Sequence, residues 1–173
     1  MKQPSRRLLL VLLVLVTIGM SFGLLQAGKA MMLDALKTPG TPISGLSRML
    51  LLLSSDPRIE PDLVLRIEVE KGATGRGAIY ELKMRGKPGL DALVARIDSL
   101  LAEREGSGGD RELKKDIDLR LCRLISSLTW IASDNIEEPA LPLFAGGEDQ
   151  KRQVIEAYRV LCVQLRSEGR LSE

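Results

Sequence analysis

The chain has 173 residues, 25 of them Lys or Arg and 23 Asp or Glu, giving a net charge of +2, and it contains no histidine. Without imidazole there is no Ser-His or Cys-His nucleophile pair, no imidazole proton shuttle and no histidine metal ligand. Its two cysteines, Cys122 and Cys162, cannot build a four-thiolate zinc site or a CxxC dithiol, so no metal or other cofactor is expected.

The first element is an apolar run. Lys2, Arg6 and Arg7 precede residues 8–27, which hold no charged side chain. Twenty residues at about 1.5 Å each cover roughly 30 Å, the hydrocarbon thickness of a bilayer. The basic flank orients the segment with its N-terminus in the cytoplasm and the rest of the chain outside. A cleavable signal peptide opens in the same way, and Ser21 with Gly23, or Gly28 with Ala30, would satisfy a small-x-small cleavage rule. The run is longer than a usual signal core, and the apolar pattern continues through Met31, Met32, Leu33, Ala35 and Leu36 before Pro39. An uncleaved anchor over residues 1–37 is therefore the expectation. Gly19 and Gly23 form a small-xxx-small pair, a candidate helix–helix interface.

Charge falls unevenly about this anchor. Four of the basic residues and none of the acidic ones lie in the first thirty positions, so the remainder is slightly acidic. It carries only Tyr80, Trp130, Phe144 and Tyr158 as aromatic residues. A basic face and stacking platforms are both missing, which argues against a nucleic-acid partner. An exported location would also allow Cys122 and Cys162, on different predicted helices, to form a disulfide; two buried thiols are the alternative.

Residues 38–62 read as a linker with a short apolar helix. Leu46, Met49, Leu50 and Leu53 keep helical spacing, while Leu51 and Leu52 widen the apolar face. Such a helix either docks under a domain, the commoner fate, or lies in the membrane interface. Asp56 and Pro57 end it.

Residues 63–173 form the expected exported domain. In 63–70, Leu63, Leu65, Ile67 and Val69 alternate with Arg66, Glu68 and Glu70; in 78–85, Ala78, Tyr80, Leu82 and Met84 alternate with Glu81, Lys83 and Arg85. Period-2 alternation predicts two half-buried strands paired as an antiparallel hairpin. The glycines at 72, 75 and 77 then become its tip, since a phosphate-binding loop would have to lead into a helix. Three helices follow. Leu90, Leu93, Val94, Ile97, Leu100 and Leu101 mark the first. Asp110 caps the second, along which Leu113, Ile117, Leu121, Leu124, Leu128 and Ile131 form a stripe. Val154, Tyr158, Leu161 and Leu165 line the third. The predicted class is α+β: one membrane-spanning helix, then a small domain with a β-hairpin and three to four amphipathic helices.

No constellation for catalysis emerges. Asp116 and Asp118 flank Ile117 and are expected to face water, and Glu137 and Glu138 precede Pro139 in a loop without sugar-stacking aromatics. Residues 78–88, Ala-Ile-Tyr-Glu-Leu-Lys-Met-Arg-Gly-Lys-Pro, together with the helix that follows to Leu101 and the single N-terminal span, resemble the periplasmic strand-turn-helix unit of the biopolymer-transport ExbD/TolR family. That resemblance implies a transport accessory role. The family's intramembrane aspartate has no counterpart between Leu8 and Ala27, so proton handling does not carry over.

The expected function is thus a single-pass inner-membrane protein whose extracytoplasmic domain binds other envelope proteins as an accessory or assembly subunit, alone or as a homo- or hetero-oligomer, without catalysis. The alternatives are a secreted small-ligand-binding domain released by signal cleavage and a degenerate ExbD/TolR-like accessory protein.

Overall fold

Helical periodicity governs the chain from its first described turn. The structure is a computed structural model that describes residues 6–38, 48, 49, 51, 53–70, 72–133 and 147–172. Among these residues there are six long helices, helical positions at 48, 49, 51 and 53, and no strand. The predicted α+β class is therefore corrected to all-α.

The first helix, α1 (Arg6–Lys37), contains the one described segment long and apolar enough to cross a membrane, Leu15–Leu36. Its last turns do not stay outside the domain: Met32, Leu33 and Leu36 are buried in the common core. Helix α2 (Ile59–Val69) begins within the stretch assigned to the linker. Glu60 and Asp62 in its first turn and Arg66 in its last complement the helix dipole. It packs against α1, α3 (Ala73–Arg85), α4 (Lys87–Gly106) and α5 (Arg111–Ala132).

This central placement explains why the hairpin does not form. A helix surrounded on most sides buries Ile59, Leu63, Val64 and Ile67 at i, i+4, i+5 and i+8. It leaves Leu65 and Val69, half of the supposed inner strand face, exposed at 48% and 62%. Conversely Arg66, Glu68 and Glu70, the supposed outer face, are buried. In α3, likewise, Ala78, Glu81 and Leu82 point inward while Tyr80 and Met84 are exposed. The glycines at 75 and 77 are helical residues of α3 rather than a hairpin tip, and the strand of the ExbD/TolR-like unit is here a helix.

Between α3 and α4 the chain turns at Gly86, whose φ of +64° favours a residue without Cβ. Three residues later a Cβ on Gly89 would come within 2.4 Å of the Leu82 carbonyl oxygen, so the two helices touch backbone to backbone. Helix α4 then buries Leu90, Leu93, Val94, Ile97 and Leu100, as its spacing predicts. The Asp110 carboxylate accepts the Glu112 and Leu113 amides, each at 3.1 Å, and caps α5. Its stripe is buried from Ile117 onward, with Leu113 exposed.

Helix α6 (Glu148–Ser167) closes the domain with Val154, Tyr158, Cys162 and Leu165. Past its end, the Arg170 guanidinium donates to the Ala132 carbonyl at 3.0 Å and satisfies the C-terminus of α5. Ser172 binds Asp91 through its amide and its hydroxyl, at 2.8 and 2.7 Å, which clasps the tail to α4.

Candidate membrane-proximal interface

The surface of α1 changes character along its length. Leu15, Val16, Ile18, Met20, Phe22, Leu24 and Leu25 are all more than half exposed, whereas the turns containing Met32, Leu33 and Leu36 are buried. The change occurs around Lys29, whose ammonium lies 3.6 Å from Asp56. Asp56 also accepts two bonds from the Arg58 guanidinium, at 3.0 and 2.9 Å, and the Arg58 amide at 3.1 Å. These Arg58 bonds, with a lesser contribution from Lys29, hold the Asp56 carboxyl well below the usual carboxylate range. The segment entering α2 is thereby fixed beside the turn where α1 leaves its exposed stretch.

A second set of ties holds the 48–53 segment. Arg85, at the end of α3, donates to the Leu51 and Ser54 carbonyls at 2.7 and 2.9 Å and pairs with Glu60. Arg48 meets Glu81 at 2.9 Å. Burial pushes the Glu81 carboxyl up despite Arg48 and Arg85 nearby. Among its described residues Leu51 is buried, while Met49 and Leu53 are 64% and 76% exposed. Of the four residues predicted for a docking helix, Leu46 and Leu50 lie outside the described residues.

The other predicted positions fall as follows. A Cβ on Gly19 or Gly23 would meet nothing within 4 Å, so this face of α1 is open. Cys122, half-buried on α5, and Cys162, buried on α6, are free thiols. Burial pushes the Cys162 thiol up and Tyr158 beside it partly offsets this, which leaves little reactive thiolate. Glu137 and Glu138 lie outside the described residues.

Asp116 is exposed as expected, but Asp118 is buried, which corrects its assignment to the water-facing side. Arg104 of α4 and Lys151 of α6 each reach Asp118 at 2.6 Å, and Glu148 bridges back to Arg104 at 2.8 Å. Asp118 in turn holds the Lys151 ammonium above its usual range. A second junction centres on Glu68, whose side chain is 1% exposed. It accepts Arg96 at 2.8 and 3.1 Å and Arg120 at 2.6 Å, and its carbonyl oxygen accepts Arg123. Glu68 and Asp118 are each matched by two cations, an arrangement that holds helices together.

Open grooves flank α6. One of about 770 Å³ lies against α5 and is lined by Lys114, Lys115, Asp116, Cys122 and Lys151; another, of about 480 Å³, lies against α4 beside Leu101, Ile155 and Arg159. Both are open and combine charges of either sign with apolar surface. Between α3 and α5, Tyr80 packs edge-on against Trp130 at 4.9 Å, with the Lys83 ammonium 4.9 Å from the indole centre. Among the described residues no group of three or more Cys, Asp or Glu side chains is placed to hold a metal ion.

No protein-family model, curated protein or solved structure matches this chain.

Proposed function

We propose that this chain is a single-pass membrane protein that holds a helical domain against the outer surface of the cytoplasmic membrane, where it acts as an accessory or assembly subunit by binding other envelope proteins. The observation that carries this reading is the continuity of α1, in which an exposed apolar stretch runs without a break into turns buried in the domain core. Several turns of exposed Leu, Ile, Val and Phe are unfavourable in water and match a lipid environment. The basic residues before the run favour a cytoplasmic N-terminus.

Continuity also supports an uncleaved anchor. The candidate cleavage points at Ser21 to Gly23 and Gly28 to Ala30 lie inside regular helix. The doubly paired Glu68 and Asp118 and the open grooves of mixed character favour binding between proteins over catalysis.

The test is to recover the untagged N-terminus of the membrane-purified chain and to identify what co-purifies in mild detergent. The expected result is an intact N-terminal segment, resistance to alkaline extraction and a stoichiometric protein partner. A mature start near Leu24 or Met31 overturns the anchor, and a solitary monomer in native membranes overturns the subunit role.

A further inference from the structure

We infer that Met49 and Leu53 form a membrane-interface foot, inserting into the headgroup–acyl boundary of the bilayer that α1 crosses. This rests on the reading of α1 as a span.

The height of the segment follows from Lys29. This residue lies two positions beyond Ala27, about 3 Å along the helix axis, and the polar layer on each side of the hydrocarbon is roughly 5–7 Å thick. With the hydrocarbon filled by the uncharged run 8–27, the first part of the apolar stretch that extends to Leu36, the Lys29 ammonium sits in that layer, and Asp56, 3.6 Å away, sits with it. Leu53 is three residues from Asp56, within about 10 Å of chain. It is the most exposed large apolar residue described, at 76%, and Met31, one turn above the boundary on α1, follows at 75%. Met49, at 64%, is helical like Leu53.

The far side of that segment is already committed. Leu51 is buried, Arg85 holds the Leu51 and Ser54 carbonyls, and Arg48 pairs with Glu81. The segment is tied by one face and offers the other beside lipid. An apolar face at this depth gains by entering the acyl boundary, the behaviour of interfacial helices.

Local charge sets the kind of contact. Lys29, Arg48, Arg58 and Arg85 are all paired with Asp56, Glu60 or Glu81, Asp56 serving two of them, so only a small positive charge is left over. The foot is accordingly held by apolar insertion, and anionic headgroups add little.

The test places a single tryptophan at Leu53→Trp, and separately at Met49→Trp, in a Trp130→Phe background of the full chain. The protein is reconstituted in phosphatidylcholine vesicles brominated either near the headgroup or near the chain end. Phe22→Trp reports the span, and Val163→Trp, on the outer face of α6, reports exposed domain surface. The expected result is strong loss of Phe22→Trp emission in the deeply brominated lipid. Leu53→Trp and Met49→Trp should be blue-shifted and quenched by the shallow bromines, and Val163→Trp unquenched. Replacing half of the lipid with phosphatidylglycerol should leave this pattern unchanged. Quenched Phe22→Trp with unquenched Leu53→Trp and Met49→Trp overturns the foot and leaves the span standing. Unquenched Phe22→Trp overturns the span. A blue shift at positions 49 and 53 without quenching reports contact with a second copy of the chain and also overturns the foot.

Discussion

Arg96 straddles Glu68: its Nε lies 2.8 Å from one carboxylate oxygen and its Nη2 3.1 Å from the other, joining α4 to the buried end of α2. Arg120 adds a bond from α5 at 2.6 Å. Replacing the carboxylate with an amide of the same shape leaves two guanidiniums without their shared counter-charge. Glu68→Gln should therefore destabilise the folded chain by roughly 3 kcal/mol, the lower end for a broken buried pair because both arginines keep some contact with water. Thermal unfolding in mild detergent measures the loss. A double-mutant cycle with Arg96→Gln should return a coupling of the same sign, and an additive result would show that the contact contributes nothing.

The helical assignment of residues 59–69 has a sharp consequence at two adjacent positions. A strand reading buries Leu65 and exposes Val64, whereas the helix buries Val64 at 1% exposure and leaves Leu65 at 48%. Leu65→Asp should change stability by within about 0.5 kcal/mol, and Val64→Asp should cost more than about 3 kcal/mol through an unpaired buried charge. Paired unfolding curves decide the matter, and the reverse order would restore the strand.

Glycine chemistry provides a second internal comparison. A methyl group at Gly89 would meet the Leu82 carbonyl oxygen at 2.4 Å, so Gly89→Ala should force α3 and α4 apart at a cost of about 1–3 kcal/mol. At Gly77, inside α3, the nearest atom to an added Cβ is the flexible Arg48 Nη2 at 3.9 Å. Gly77→Ala should stabilise the chain by about 0.5–1 kcal/mol through reduced backbone entropy. Melting temperatures should move in opposite directions.

Stability should also change shape with pH. Asp56, ordinarily near 3.8, is lowered chiefly by Arg58, and Glu148, ordinarily near 4.5, chiefly by Arg104. Both ionise more readily when folded, so their contribution is complete above those ordinary values and is lost as pH falls through the lowered ones. Glu81 runs the other way. Burial raises its pKa in the folded state, so it penalises folding at neutral pH and is relieved as pH falls toward 4.5. A melting series from neutral to acid should show this relief first and then a decline below about pH 4. Glu81→Gln should flatten the first phase and leave the second.

Where one face of a helix meets the core and the other meets water, the sequence is readable. Leu93, Ile97 and Leu100 on α4, Leu121, Leu124 and Leu128 on α5, and Val154, Tyr158 and Leu165 on α6 are buried at the spacing that marks them. The Asp110 cap is equally local. The signal fails in α2 and α3 because charged residues are buried there alongside apolar ones, and a short helix with few exposed positions can imitate alternation. The partners that make this burial possible lie 28 and 52 residues from Glu68, and no local period encodes them. Asp118 was obscured in the same way, since Lys151 comes from a helix 33 residues on.

The docking of Met32, Leu33 and Leu36 makes α1 a stiff axle rather than a tether. With no flexible joint between the exposed turns and the core, the azimuth of the domain is set by the rotational phase of the helix in its surroundings. A single residue inserted between Leu24 and Ala27 would swing the domain by about 100° relative to the exposed stretch while leaving its interior intact. Any partner that grips α1 therefore also fixes which side of the domain it presents to its neighbours.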